Sequence, residues 1–115
     1  MAHQPDTQGP TAVGLSLRRR DGHDRVLEVI GEIDVATSPV LRSELADLLA
    51  DSPNSVTLDF AQVSFIDSSG LGVLVGALKR LRETSPGAAL HVAHTHGAVR
   101  NVFDIMGLDE LFDLS

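Results

Sequence analysis

Apolar residues along this chain recur with two different periods, and the two periods take turns. Val13, Leu15 and Leu17, then Leu27, Val29 and Ile33, alternate with polar or smaller residues, the two-residue repeat of a half-buried strand. Leu41, Leu45, Leu48 and Leu49 recur instead at i, i+4, i+7 and i+8, the stripe of a helix lying on a core. Val56, Leu58 and Phe60 return to alternation, and Leu71 to about Glu83 is helical again. Leu90 and Val92 mark a further strand, Val99, Val102, Phe103 and Met106 a third helix, and Leu111 with Phe112 the start of a last short strand. The order ββαβαβαβ predicts an α/β fold. An opening hairpin leads into β-α-β crossovers, giving a mixed β-sheet packed with three or more α-helices.

Punctuation between these segments agrees. Asp21-Gly22 is a favoured two-residue hairpin turn because both positions tolerate positive φ. Ser38 can cap the first helix, with Pro39 at its first helical position, and Pro53 stops it. Lys79, Arg80 and Arg82 sit at the negative end of the second helix dipole, and Ser85-Pro86-Gly87 breaks that helix. Gly107 ends the third helix as a left-handed cap, with Leu108 placed to pack back on Phe103. Residues 1–11 are polar, with two prolines and a glycine, and are expected to be a disordered tail. That leaves 12–115 as a single domain.

Composition removes several kinds of function. The chain has no cysteine, which excludes disulfides, zinc–thiolate sites and thiol catalysis. With no Trp, no Tyr and four Phe, the core must be aliphatic, and an aromatic stacking platform for single-stranded nucleic acid is missing. A net charge of −7 repels phosphate backbones, so nucleic acid is not an expected partner. The run Arg18-Arg19-Arg20 reads as a solvated edge that discourages sheet pairing. The longest apolar run, Leu71 to Leu78, is too short to span a bilayer, and the N-terminus has no apolar signal core. The expectation is a soluble cytoplasmic protein without membrane insertion.

Chemistry concentrates in Val63-Ser64-Phe65-Ile66-Asp67-Ser68-Ser69-Gly70-Leu71. Val63, Phe65 and Ile66 look like buried structure, and Leu71 opens the second helix, so Asp67 to Gly70 lie where strand gives way to helix. Free N–H groups and the positive end of the helix dipole favour an anion there. Asp67 or Ser68 can cap the helix while Gly70 permits a close approach; alternatively, a serine hydroxyl is on offer to another molecule. A nucleophile elbow fails because Ile66 stands where glycine is needed and no histidine is placed as base. A phosphate-binding loop fails for want of spaced glycines and a Lys-Ser/Thr ending. No catalytic residue emerges, and the chain does not read as an enzyme. The active reading that remains is phosphorylation of Ser68 by a partner kinase. It adds about −1.5 to −2 charges, which a helix start tolerates but a docked partner does not.

Two other constellations stand out. His94 and His96 share one face of the expected strand and His91 the other, so three ligands do not converge and no metal is expected. Glu32 and Asp34, in Gly31-Glu32-Ile33-Asp34, are either a solvated strand end or a polar rim beside the Ser68 turn. Strands running parallel would bring both junctions to one sheet edge, where open α/β folds place their sites.

Taken together, Gly31-Glu32-Ile33-Asp34, Thr37, the stretch Phe65-Ile66-Asp67-Ser68-Ser69-Gly70-Leu71-Gly72-Val73-Leu74, and Met106-Gly107-Leu108 resemble the STAS domain family. Within it they resemble the bacterial anti-sigma-factor antagonists of sporulation and stress signalling. The resemblance spans about residues 13–113 and implies a STAS-like mixed sheet and a partner-switching function. The unmodified protein would bind an anti-sigma factor that is also an ATP-dependent serine kinase, so releasing a sigma factor. Phosphorylation at Ser68 would end the complex, and a serine phosphatase would restore the cycle. ATP belongs to the kinase, so no cofactor is implied for this chain. By position, Asp67 would orient and cap the turn, and Ser69 would lie beside the modified serine. Gly31, Glu32, Asp34 and Thr37 would lie in the neighbouring docking surface, and Gly70, Leu71 and Gly72 would keep the helix start low. The family pattern continues with a further C-terminal helix where this sequence stops at Ser115, which implies some uncovered apolar surface. The alternative function is a STAS regulatory subunit of a membrane transporter, for which a phosphorylatable serine is not required.

Overall fold

Strands and helices form where the alternating and helical periods place them. The computed structural model describes residues 11–20 and 25–114. Their order is β1 (Thr11–Ala12), β2 (Leu15–Arg20), β3 (Arg25–Ile33), α1 (Ser38–Leu49), β4 (Ser55–Ile66), α2 (Ser68–Thr84), β5 (Ala89–Ala93), α3 (Gly97–Ile105), a 3-10 turn (Leu108–Glu110) and β6 (Asp113–Leu114). The strands form one sheet in sequence order. β1–β2 and β2–β3 pair antiparallel, whereas β3–β4, β4–β5 and β5–β6 pair parallel. One helix bridges each parallel step. Right-handed crossovers that always step the same way put their helices on one face of the sheet.

That face carries the core. Leu17, Leu27, Val29, Leu58 and Val92 from the strands join Leu41, Leu45, Leu74, Leu81 and Phe103 from the helices in one buried cluster. Phe103 meets Phe60 and Phe112 edge to face, with ring centroids 6.3 and 5.9 Å apart. The opposite face is polar: Arg18 and Arg20 reach Glu28 at 3.4 and 3.9 Å, and Arg20 reaches Asp59 at 3.8 Å.

Several expectations are corrected. Val13 is fully exposed in the Val13-Gly14 turn, where Gly14 at φ +92° lets the chain reverse, and β2 begins only at Leu15. Thr11, expected in the tail, pairs with Ser16 in the short extra strand β1. Residues 1–10 of that tail and the Asp21-Gly22 turn lie outside the described residues. Thr37, not Ser38, occupies the cap position of α1, and Ser38 is buried in the first turn. The second helix begins at Ser68, ahead of Leu71, because Asp67 caps it. Met106 is 59% exposed past the end of α3, whose buried residues are Val99 and Phe103. Leu111 is exposed and precedes β6 rather than starting it. Arg19 turns to the helical side, where Glu44 of α1 holds it at 2.9 Å, so the arginine run is not wholly a solvated edge.

Candidate functional site

Ile33 and Ile66 are register partners at the ends of β3 and β4, so the turns that follow them leave the sheet side by side. The Asp67 N–H donates to the Ile33 carbonyl at 3.2 Å, fastening one turn to the other. Two glycines make the approach possible. A Cβ on Gly70 would stand 2.6 Å from Ile33 Cγ2 and 2.8 Å from Ile66 Cγ1, so the helix start needs glycine to sit on the strand ends. Gly31 has φ +119°, and its Cβ would fall 2.0 Å from the Gly14 carbonyl oxygen, which accepts the Glu32 N–H at 2.8 Å. The ladder shifts register between Gly31 and Glu32, a bulge at which β4 carries one extra residue, Ser64.

In the second turn, Asp67 Oδ1 accepts the Ser69 N–H at 3.0 Å, the Gly70 N–H at 3.3 Å and the Ser69 hydroxyl. The Ser69 hydroxyl is the main cause of a lowered Asp67 pKa, with the two backbone donors adding to it. This separates the two serines. Ser69 spends its hydroxyl on the cap. Ser68 is exposed, and its hydroxyl has no hydrogen-bond partner among the described residues.

In the first turn, Asp34 Oδ1 accepts the N–H groups of Ala36 and Thr37, each at 3.0 Å. The Thr37 hydroxyl donates to the Glu32 carbonyl at 2.8 Å and accepts the Asp34 N–H at 2.9 Å. Thr37 is 1% exposed, so it belongs to the scaffold of the turn and is not part of its surface.

Burial sorts the remaining residues expected at the site. Gly70 and Leu71 are buried beneath the helix start; Gly31, Asp34, Asp67 and Ser69 are half-buried; Glu32, Ser68 and Gly72 are exposed. Nothing lies within 4 Å of a Cβ placed on Gly72, so that glycine keeps the surface low rather than serving packing. Two residues of this edge escaped the sequence reading. Val35 is 76% exposed on the Asp34 turn, and Phe65, expected to be buried, is 46% exposed. Phe65 pairs with exposed Glu32 beyond the bulge, while its neighbour Ile66 takes the core position. The register shift is invisible to simple alternation.

The histidines do not form a strand face. β5 ends at Ala93, His94 takes φ +63°, and His96 heads α3 with Nε2 2.9 Å from the Ala61 carbonyl oxygen. No group of three or more possible metal ligands occurs among the described residues, and none of the helices described is long and apolar enough to cross a membrane.

A sheet whose parallel strands step regularly under three helices, with two aspartate-braced turns side by side at their ends, is a STAS-type α/β module. The chain belongs to the STAS domain family, whose model matches residues 15–115. It is 34% identical over 97 residues to an anti-sigma-B factor antagonist of Bacillus subtilis, covering 84% of this chain and 86% of that protein. A crystal structure of an anti-sigma factor antagonist from Mycobacterium paratuberculosis superimposes with a TM-score of 0.78 at 30% identity, covering 98% of this chain and 89% of that one. The unphosphorylated anti-sigma factor antagonist SpoIIAA shares the fold, with a TM-score of 0.72 at 22% identity over 88% of this chain and 87% of that one.

Proposed function

We propose that this protein is an anti-sigma-factor antagonist switched by phosphorylation of Ser68. The observation that carries the proposal is the division of labour between the serines: the Asp67 cap consumes the Ser69 hydroxyl and leaves that of Ser68 exposed. The relatives named for the same activity support the reading. In the unmodified state an anti-sigma factor with serine-kinase activity docks on the edge formed by Glu32, Asp34, Val35, Phe65, Ser68 and Gly72. Exposed Val35 and Phe65 supply apolar contact at that edge. The kinase transfers the γ-phosphoryl group of its ATP to Ser68 Oγ, and the hydroxyl proton leaves to a base on the kinase. ADP departs with the kinase, so the chain itself needs no cofactor.

The phosphate arrives at the positive end of α2, where an anion is compatible with the helix. Beside it stands the Asp67 carboxylate, which hydrogen bonds hold below its ordinary pKa and hence ionised. Two adjacent negative groups and the added bulk expel the partner while the fold persists. A serine phosphatase reverses the step.

The test is to incubate the protein with candidate anti-sigma kinases and ATP and to locate the added phosphate by mass spectrometry. Modification falls on Ser68; Ser68→Ala still binds the kinase, and Ser68→Asp does not. Phosphate found on Ser69 would keep the function and refute the residue. Undiminished kinase binding by Ser68→Asp would overturn the switch.

A further inference from the structure

Five of the nine cations in this chain have carboxylate partners: Arg18 and Arg20 with Glu28, Arg19 with Glu44, Arg25 with Asp51, and Arg100 with Asp104. The other four, Arg42, Lys79, Arg80 and Arg82, have no side-chain partner among the described residues. They divide between the two flanks of α2. Arg42 and Arg80 border a groove of about 220 Å³ between α1 and α2, floored by buried Leu45, Leu49, Val73 and Ala77. Lys79 and Arg82 border a second depression on the far flank of α2, beside Val75 and Leu111, which are 37% and 41% exposed. The α1–α2 groove owes its depth to Gly72 and Gly76, where a Cβ would meet nothing within 4 Å.

We propose that this face docks an acidic amphipathic helix of a partner protein. Its apolar side lies in the α1–α2 groove, where the two glycines let the backbone come close. Carboxylates on its flanks meet Arg42 and Arg80, and Lys79 and Arg82 extend the positive field. Charge selects the occupant: Arg42 and Arg80 bank the groove without a side-chain partner among the described residues, and no carboxylate lines it. A concave apolar floor between charged banks suits a helix, the groove mode of recognition. A short helix meets only the two arginine banks, whereas an extended anionic surface, a membrane or a nucleic acid, would meet repulsion from the rest of the chain. Ser68, Gly72 and Gly76 follow at i, i+4 and i+8 on α2, so a partner seated here also reaches the serine. In that respect the inference extends the proposed function, but its test does not pass through phosphorylation.

The probe is a synthetic helical peptide with Ala and Leu at i, i+3, i+4 and i+7 and Glu on both flanks. Its control carries Lys for Glu. Both are titrated against the isotopically labelled full chain and followed by NMR. The Glu peptide binds at least about tenfold tighter than the Lys peptide at low salt, and the gap narrows at high salt. The amides of Gly72, Val73 and Gly76 shift. The double variant Arg42→Glu/Arg80→Glu, changed at two exposed positions, reverses the preference at an unchanged melting temperature. Gly76→Leu weakens binding of the Glu peptide without altering charge. Equal binding of both peptides, shifts confined elsewhere, or an unreversed preference in the double variant would overturn the proposal. So would tighter binding of phosphatidylglycerol vesicles or an RNA oligonucleotide than of the Glu peptide. Because no outcome depends on Ser68, failure of the switch and failure of this docking face are read separately.

Discussion

At the end of β3, Asp34 accepts the N–H groups of Ala36 and Thr37, with the Thr37 hydroxyl 3.2 Å from the same oxygen; at the end of β4, Asp67 accepts those of Ser69 and Gly70, with the Ser69 hydroxyl on the same oxygen. In both turns one carboxylate oxygen accepts two backbone N–H groups and lies near one hydroxyl, but only those of Ser69 and Gly70 belong to a helix, so only Asp67 is a helix cap. They differ in what is left over. The first junction has Thr37, buried and fully occupied, and Ser38, which is buried too. The second also has two hydroxyls, and Ser68 remains after the cap is complete. On the proposed reading, Ser68 is open to modification because the cap is complete without it and its hydroxyl stays exposed.

The glycines offer the strongest way to break this arrangement. Gly31→Ala combines strain at φ +119° with a Cβ 2.0 Å from backbone, and chemical denaturation should show a loss of about 3 kcal/mol or more. Gly70→Ala presses on the side chains of Ile33 and Ile66, which can yield, and the expected loss is about 1–3 kcal/mol.

Thr37→Val sharpens the contrast of spent and spare hydroxyls. It strips the Glu32 carbonyl and the Asp34 N–H of a buried partner and costs about 1–3 kcal/mol. Ser68 should still be phosphorylated in that protein wherever it remains folded.

Ser69→Ala removes the contact that most lowers the Asp67 pKa, so an NMR titration should find that pKa moved up towards its ordinary 3.8. A carboxylate depressed in the folded state contributes stability that is present above its unfolded pKa and lost as pH falls through its folded value. The window therefore lies below about pH 3.8, and acid unfolding of Ser69→Ala should begin at higher pH than in the parent.

Ser68→Ala should leave stability within about 0.5 kcal/mol of the parent, because nothing in the fold uses that hydroxyl. A loss as large as that of Thr37→Val would erase the distinction between the two turns.

The order of strands and helices was legible because a two-residue or 3.6-residue period is a property of one segment and its single buried face. The left-handed cap at Gly107, φ +71°, was legible for the same local reason. So was the Asp67–Gly70 stretch as a strand-to-helix junction with a carboxylate and hydroxyls at its start. Register was not. The β3–β4 bulge turned Phe65 outward, and the two-residue pairing of β1 made a turn of Val13. Thr37 displaced Ser38 as cap because the Glu32 carbonyl and Asp34 were within its reach.

The sharpest division falls within four consecutive residues. Asp67-Ser68-Ser69-Gly70 announced a helix start, but the need for Gly70 comes from Ile33, a residue on another strand. Which serine would be left free was likewise settled by geometry, when Ser69 Oγ fell on the Asp67 carboxylate. Local period and residue type are written along the chain. Which atoms end up within three ångströms of one another depends on segments that meet only once the sheet has formed.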